Sequence, residues 1–137
     1  MWLDGIERKY VDEVGTMNVF FVIDNKIITP SLDGSILPGV TRDSVIHLLK
    51  DWGYTVEERK LALLEVIEAN KNGKLNEAFG TGTAAVISPI GTLNNNGDII
   101  EINNGKIGPV AQKLYDTIIG IQYGKIEDKY NWIVDLK

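Results

Sequence analysis

Three short segments of the chain combine residue types that hold anions or stabilise charge. The first is Leu37-Pro38-Gly39-Val40-Thr41-Arg42, a glycine-containing loop that opens directly into a helical pattern. The unpaired N–H groups of a first helical turn, together with the positive end of its dipole, make such a place an anion site. The Thr41 hydroxyl adds a donor, although a threonine there could equally do no more than cap the helix. The second is Phe79-Gly80-Thr81-Gly82-Thr83-Ala84-Ala85. Its glycines would let an anion approach the backbone, and its threonines supply hydroxyls. It lacks the lysine and the glycine spacing of a P-loop, and a bulged turn before a core strand is the structural alternative. The third is Asp12-Glu13-Val14-Gly15-Thr16-Met17-Asn18, an acidic pair entering a strand, which in isolation is more often solvated charge. Together the three suggest a phosphate-bearing small molecule held by backbone and hydroxyl donors.

The elements that must position them follow from hydrophobic period and turn chemistry. Val19-Phe20-Phe21-Val22-Ile23 is a strand, and Asp24-Asn25 turns it into Lys26-Ile27-Ile28-Thr29 as a tight hairpin. Pro30 through Pro38 is a loop. A helix starts near Thr41, with Val45, Ile46, Leu48, Leu49 and Trp52 on one face and Gly53 as its stop. Thr55 to Arg59 is a short strand, and a helix over Leu63 to Asn70 ends at Lys71-Asn72-Gly73. Ala84 to Ile87 is expected as a strand, Asn94-Asn95-Asn96-Gly97 as a turn and Asp98 to Ile102 as the strand after it. The last long helix runs from about Pro109 to Tyr123. Trp132-Ile133-Val134 is expected to close a sheet edge. Helices and strands therefore mix, with hairpin connections, giving an α/β or α+β class.

Composition narrows the partners. The chain has 137 residues, enough for one domain with a real core, and a net charge of −5 without any basic stripe. Nucleic acid and anionic membranes are not its expected partners. There is no cysteine, which excludes thiolate catalysis and thiolate metal sites. Apolar runs are far too short to span a bilayer, and Met1 to Glu7 lacks the features of a signal peptide, so a cytoplasmic location is expected. His47 stands alone on the first helix, without partners for a metal site or a triad, and is expected at the surface or its boundary.

Glu13-Val14-Gly15-Thr16-Met17-Asn18, Leu32-Asp33-Gly34-Ser35-Ile36-Leu37-Pro38-Gly39-Val40-Thr41-Arg42 and Phe79-Gly80-Thr81-Gly82-Thr83-Ala84 resemble three consecutive signatures of the branched-chain amino-acid aminotransferases. The tail, from Gly108-Pro109 through Ile121-Gln122-Tyr123-Gly124 to Trp132, resembles the C-terminal end of the same family, so the resemblance covers essentially the whole chain. It implies the C-terminal pseudo-barrel domain of fold-type IV enzymes, with mixed and antiparallel strands, flanking helices and a single domain over residues 1–137. It also implies pyridoxal phosphate as cofactor of the whole enzyme, with weak or absent binding expected from this chain alone. By resemblance, Glu13 pairs with the pyridine nitrogen, the Val40 and Thr41 N–H groups hold the phosphate, and Thr83 adds a phosphate contact. Ala84 and Thr83 N–H groups match donors to the substrate α-carboxylate, and Thr16 matches a residue lining the cofactor and substrate side. The implied reaction moves an amino group from leucine, isoleucine or valine to 2-oxoglutarate, in a homodimer that packs a second domain against this one. Some exposed apolar surface and self-association are expected with it.

Two departures accompany the resemblance. The Schiff-base lysine of the family lies on a stretch that would precede Met1, and Lys9, the one lysine before Glu13, sits in a polar run unlike the lysine motif. The catalytic lysine is therefore expected outside this chain, and no turnover is expected from this polypeptide alone. A cysteine pair found in some animal members is replaced by Ala85 and Ser88. D-amino-acid aminotransferase and aminodeoxychorismate lyase share the implied architecture, and a non-catalytic remnant domain is the third alternative.

Overall fold

The stretch Val19 to Ile23 has no polar residue to offer to water, and neither of its faces meets water in the structure. A computed structural model describes residues 1–136, leaving only Lys137 of the chain outside. Strand β3 (Asn18–Ile23) is buried at all six positions. Its alternate residues belong to two separate cores. Phe20 and Val22 pack on one side, and Val19, Phe21 and Ile23 pack on the other. A continuous apolar run is what a strand covered on both faces requires.

Around β3 a five-stranded sheet forms from β4 (Lys26–Thr29), β5 (Thr55–Glu58), β6 (Leu75–Gly82) and β7 (Val86–Pro89), in the order β5-β4-β3-β6-β7. All its neighbours are antiparallel except β4 and β5, which run parallel through the connection made by helix α1 (Val40–Asp51). On one face lie α1 and α3 (Pro109–Gln122), which bring Val45, Leu48, Leu49 and Leu114 against Phe20 and Phe79. Phe20 and Phe79 are register partners, with ring centroids 5.3 Å apart and planes within 8°. Such a stacked pair adds about 1 kcal/mol beyond its buried area. On the other face lie α2 (Leu63–Lys71) and the hairpin of β8 (Thr92–Asn95) and β9 (Asp98–Glu101). A small antiparallel pair, β1 (Trp2–Leu3) with β2 (Val11–Glu13), joins that second core through Val11. The architecture is the mixed α/β class, with mixed and antiparallel strands flanked by helices.

Three expectations change. Gly80 to Gly82 are not a loop but the last residues of β6, and the turn falls at Thr83 to Ala85. The expected strand Ala84 to Ile87 therefore begins at Val86, which holds a left-handed φ of 58° that β-branched residues rarely adopt. Trp132 to Val134 does not close a sheet edge. The Tyr130 and Ile133 N–H groups donate instead to the Asp128 carboxylate, at 3.1 and 2.7 Å, and this turn presents Trp132 to Tyr130 and His47.

Candidate functional site

Glu13 ends β2, and the chain reverses immediately over Gly15-Thr16. Val14 and Met17 exchange backbone hydrogen bonds at 3.0 Å each, closing a two-residue turn. Gly15, at φ +59°, fills the first central position, where this turn type calls for glycine. The Trp2 indole N–H donates to Gly15 O at 2.8 Å and pins the turn from outside. A Cβ on Gly80 would meet Met17 Cε at 2.9 Å and Val14 Cγ1 at 3.0 Å, and one on Gly82 would meet Met17 Cγ at 3.3 Å. The space these glycines release is thus filled by Met17 and Val14. The expectation that it admits an anion to the backbone is corrected accordingly.

Asn18 comes next and is buried. Its Nδ2 donates to Leu37 O at 2.8 Å, and the Leu37 N–H donates to Glu13 Oε1 at 3.3 Å. Gly39 N–H closes back onto Leu37 O at 2.9 Å. Helix α1 then begins from Gly39, which has no side chain to cap it. The N–H groups of Val40 and Thr41 have no acceptor among the described residues, and the Thr41 hydroxyl makes no capping bond. The reading of Thr41 as a mere cap fails on that geometry.

Val40, Thr41 and Thr83 line one cavity of ≈ 370 Å³, walled by Val86, Ile121 and Trp132. No lysine lines it. Larger hollows lie elsewhere, among them one of ≈ 450 Å³ beside Asp4, Asp12 and Asp33 and one of ≈ 700 Å³ beside Glu77 and Glu101; Asp43 lines the present cavity too, so its helix-start N–H groups, and not the charge of its lining, set it apart. The structure therefore brings Val40, Thr41 and Thr83 together and ties Glu13 to the same loop through Leu37. The second Glu13 oxygen has no partner among the described residues. Thr16 stands exposed at the tip of its turn and Ala84 exposed at the tip of the β6–β7 turn, and neither they nor Glu13 line the cavity.

Residue reasoning missed Arg42, Asn18 and Met17 as parts of the support. Arg42 is buried, donating from Nη2 to Pro30 O at 3.0 Å and to Glu58 Oε1 at 3.1 Å, which fastens the first turn of α1 to β4 and β5. The signal for it was present: Arg42 falls on the same helical stripe as Val45, Ile46 and Leu49. The donor set fits a phosphorylated ring. Free N–H groups and a hydroxyl suit a phosphate monoester, and a half-free carboxylate suits a protonated ring nitrogen.

Residues 5–93 match the amino-transferase class IV family. Over 136 residues the chain is 59% identical to branched-chain-amino-acid aminotransferase 2 of Bacillus subtilis (strain 168), covering 99% of this chain and 38% of that protein. It is 57% identical to a probable branched-chain-amino-acid aminotransferase of Staphylococcus epidermidis, with the same coverage of both. The chain thus spans about 38% of the length of these curated relatives. Its fold is similar to the crystal structure of the Escherichia coli branched-chain amino acid aminotransferase, at 32% identity and a TM-score of 0.79 over 94% of this chain and 40% of that one. It is also similar to the branched-chain amino acid aminotransferase from Thermobaculum terrenum in its PLP-form (holo-form). There the identity is 34% and the TM-score 0.77, over 93% of this chain and 39% of that one.

Proposed function

The chain belongs to the amino-transferase class IV family, and from that premise we propose that it is the cofactor-holding C-terminal domain of a branched-chain amino-acid aminotransferase that uses pyridoxal phosphate. The observation that carries this is one cavity bearing two acceptor-free helix-start N–H groups, Val40 and Thr41, and the Thr83 hydroxyl turn, with Glu13 bonded to the loop that leads into it. Bound there, pyridoxal phosphate supplies the electron sink that amino transfer needs. Val40 and Thr41 hold its phosphate through backbone N–H groups, and Thr83 adds its hydroxyl. Glu13 keeps the ring nitrogen protonated, because an anion beside a base favours the charged form. Thr83 and Ala84 N–H groups orient the substrate carboxylate, and Thr16 borders the substrate side. Val86, Ile121 and Trp132 give the cavity an apolar wall. Substrates are leucine, isoleucine or valine with 2-oxoglutarate. The assembled enzyme is a cytoplasmic homodimer. Because no lysine among the described residues lines the cavity and the lysine motif is not in this sequence, this chain alone binds the cofactor weakly, without a covalent bond, and does not turn over.

Titration with pyridoxal phosphate and with pyridoxal, followed by tryptophan fluorescence, tests the cofactor assignment. Saturable binding that inorganic phosphate competes away, and that is at least about tenfold weaker for pyridoxal, is expected from loss of charge-assisted hydrogen bonds. Equal affinity for the two would sink it. Borohydride reduction of the mixture should leave no single stoichiometric adduct. In the enzyme completed by a lysine-bearing segment, leucine, isoleucine and valine should lead an amino-donor screen, and D-alanine in first place would reject the substrate class.

A further inference from the structure

We propose that Asn18 is a positioning residue, which sets the Leu37–Val40 loop so that the helix-start N–H groups stand where a phosphate can meet them; this rests on the phosphate reading above. Buried Ile36 before the loop and buried Arg42 in the first turn of α1 anchor its two ends, but not its middle. Leu37 is 69% exposed and Val40 76% exposed, and Pro38 is exposed as well, so no side chain from 37 to 40 anchors the segment by burial. Pro38 has no N–H to contribute. What fixes the segment is the Leu37 peptide. Its N–H goes to Glu13, and its carbonyl takes Asn18 Nδ2 at 2.8 Å together with the Gly39 N–H at 2.9 Å.

Asn18 is suited to this because it is rigid. It is 6% exposed, begins the central strand β3 and stands opposite Thr81 in the β3–β6 register. It therefore transmits the position of the sheet, and of the β6 end that leads to Thr83, to the start of α1. A second observation, independent of the hydrogen bond, shows how close the fit is. A Cβ placed on Gly39 would collide with Asn18 Oδ1. Gly39 has an ordinary negative φ of −68°, so backbone conformation does not demand glycine there. The demand comes from the Asn18 amide lying against its Cα. Amide and glycine thus form one fitted pair, with Nδ2 holding the loop and Oδ1 occupying the space that a side chain at 39 would need.

The test is a double-mutant cycle of Asn18→Ala and Gly39→Ala, with Asn18→Asp as the isosteric variant that loses the donor. Pyridoxal phosphate and pyridoxal affinities and amide hydrogen exchange at Leu37 to Thr41 are measured on each. Asn18→Ala and Asn18→Asp should each weaken pyridoxal phosphate at least tenfold, leave pyridoxal unchanged and speed exchange at Leu37 and Gly39. Gly39→Ala should do the same, and the double variant should be no worse than either single one, because removing the amide makes room for the new Cβ. Wild-type pyridoxal phosphate affinity in Asn18→Ala, or strictly additive losses in the double variant, would overturn the proposal. If the unmodified chain shows no preference for the phosphate-bearing ligand, the cofactor reading fails. Exchange still decides the Asn18 role then: faster exchange supports it, and unchanged exchange rejects it.

Discussion

Helices α1 and α3 begin in the same way and are completed in opposite ways. Each follows a glycine in extended conformation that offers no capping side chain, Gly39 for α1 and Gly108 for α3. At α3 the free N–H groups are taken up from within. The buried Glu77 carboxylate accepts from Val110 N and Ala111 N at 3.0 Å each, and a Cβ on Gly108 would run into that carboxylate. At α1 the N–H groups of Val40 and Thr41 have no acceptor among the described residues, and these residues line a cavity beside Thr83. One helix start is filled by the chain's own anion, and the other meets no acceptor among the described residues, as the proposed phosphate site requires. The lesson is that a helix start becomes a site through what its neighbours withhold.

Removing Glu77 should break this contrast most severely. Glu77→Ala leaves the α3 start buried without an acceptor and is expected to cost about 3 kcal/mol, since hydrogen bonds to a charged group carry about 1.5–3 kcal/mol each. Denaturant unfolding measures this, and a midpoint unchanged from wild type would show that the carboxylate does not cap α3. Thr83→Ala should sharpen the contrast from the other end. Its side chain is exposed, so unfolding should stay within about 0.5 kcal/mol of wild type, while pyridoxal phosphate affinity falls about tenfold. The two variants thus separate a start built for stability from one built for binding.

The smallest effect belongs to Asp4, which does at the surface what Glu77 does inside. Its carboxylate accepts from the N–H groups of Ile6, Glu7, Arg8, Lys9 and Tyr10. These bonds, that from Tyr10 foremost, hold its carboxyl well below the usual carboxylate range. A depressed folded-state value gives stability that is present above the unfolded value of about 3.9 and is lost as pH falls through the folded one. Melting temperature against pH should therefore fall slightly more in wild type than in Asp4→Asn below about pH 4. Parallel curves for the two would discard the idea.

What could be read from the residues alone was what is decided locally. Asp24-Asn25 gave the hairpin because both residues accept the left-handed conformation they adopt, at φ 51° and 63°. Gly53, Gly73 and Gly124 marked the ends of the three helices, each with positive φ just past the last turn. That Val40 and Thr41 open a helix could be picked out because a glycine loop entering a helix has a recognisable pattern, and the structure brings Thr83 to the same cavity. Glu77, Asn18 and Met17 could not, because their partners are far along the chain and nothing in their own neighbourhood distinguishes them. Trp132 to Val134 misled for the opposite reason. Its apolar, β-branched character suits a strand, but Asp128 takes up the N–H groups at Tyr130 and Ile133. Gly80 and Gly82 misled by composition, since room made for Met17 has the same one-letter pattern as room made for a ligand.

The β3–β6 register also governs the order in which this molecule can assemble. Asn18 meets Thr81 only after α1, β5 and α2 have been threaded between them, so the contact closes a long loop and is entropically costly to make early. Helices and the Asp24-Asn25 hairpin can form on their own, but Thr83 joins Val40 and Thr41 at one cavity only when that closure is complete. Ligand cannot act as a template for the early collapse of such a chain; it can only trap the molecule after the central pairing has locked.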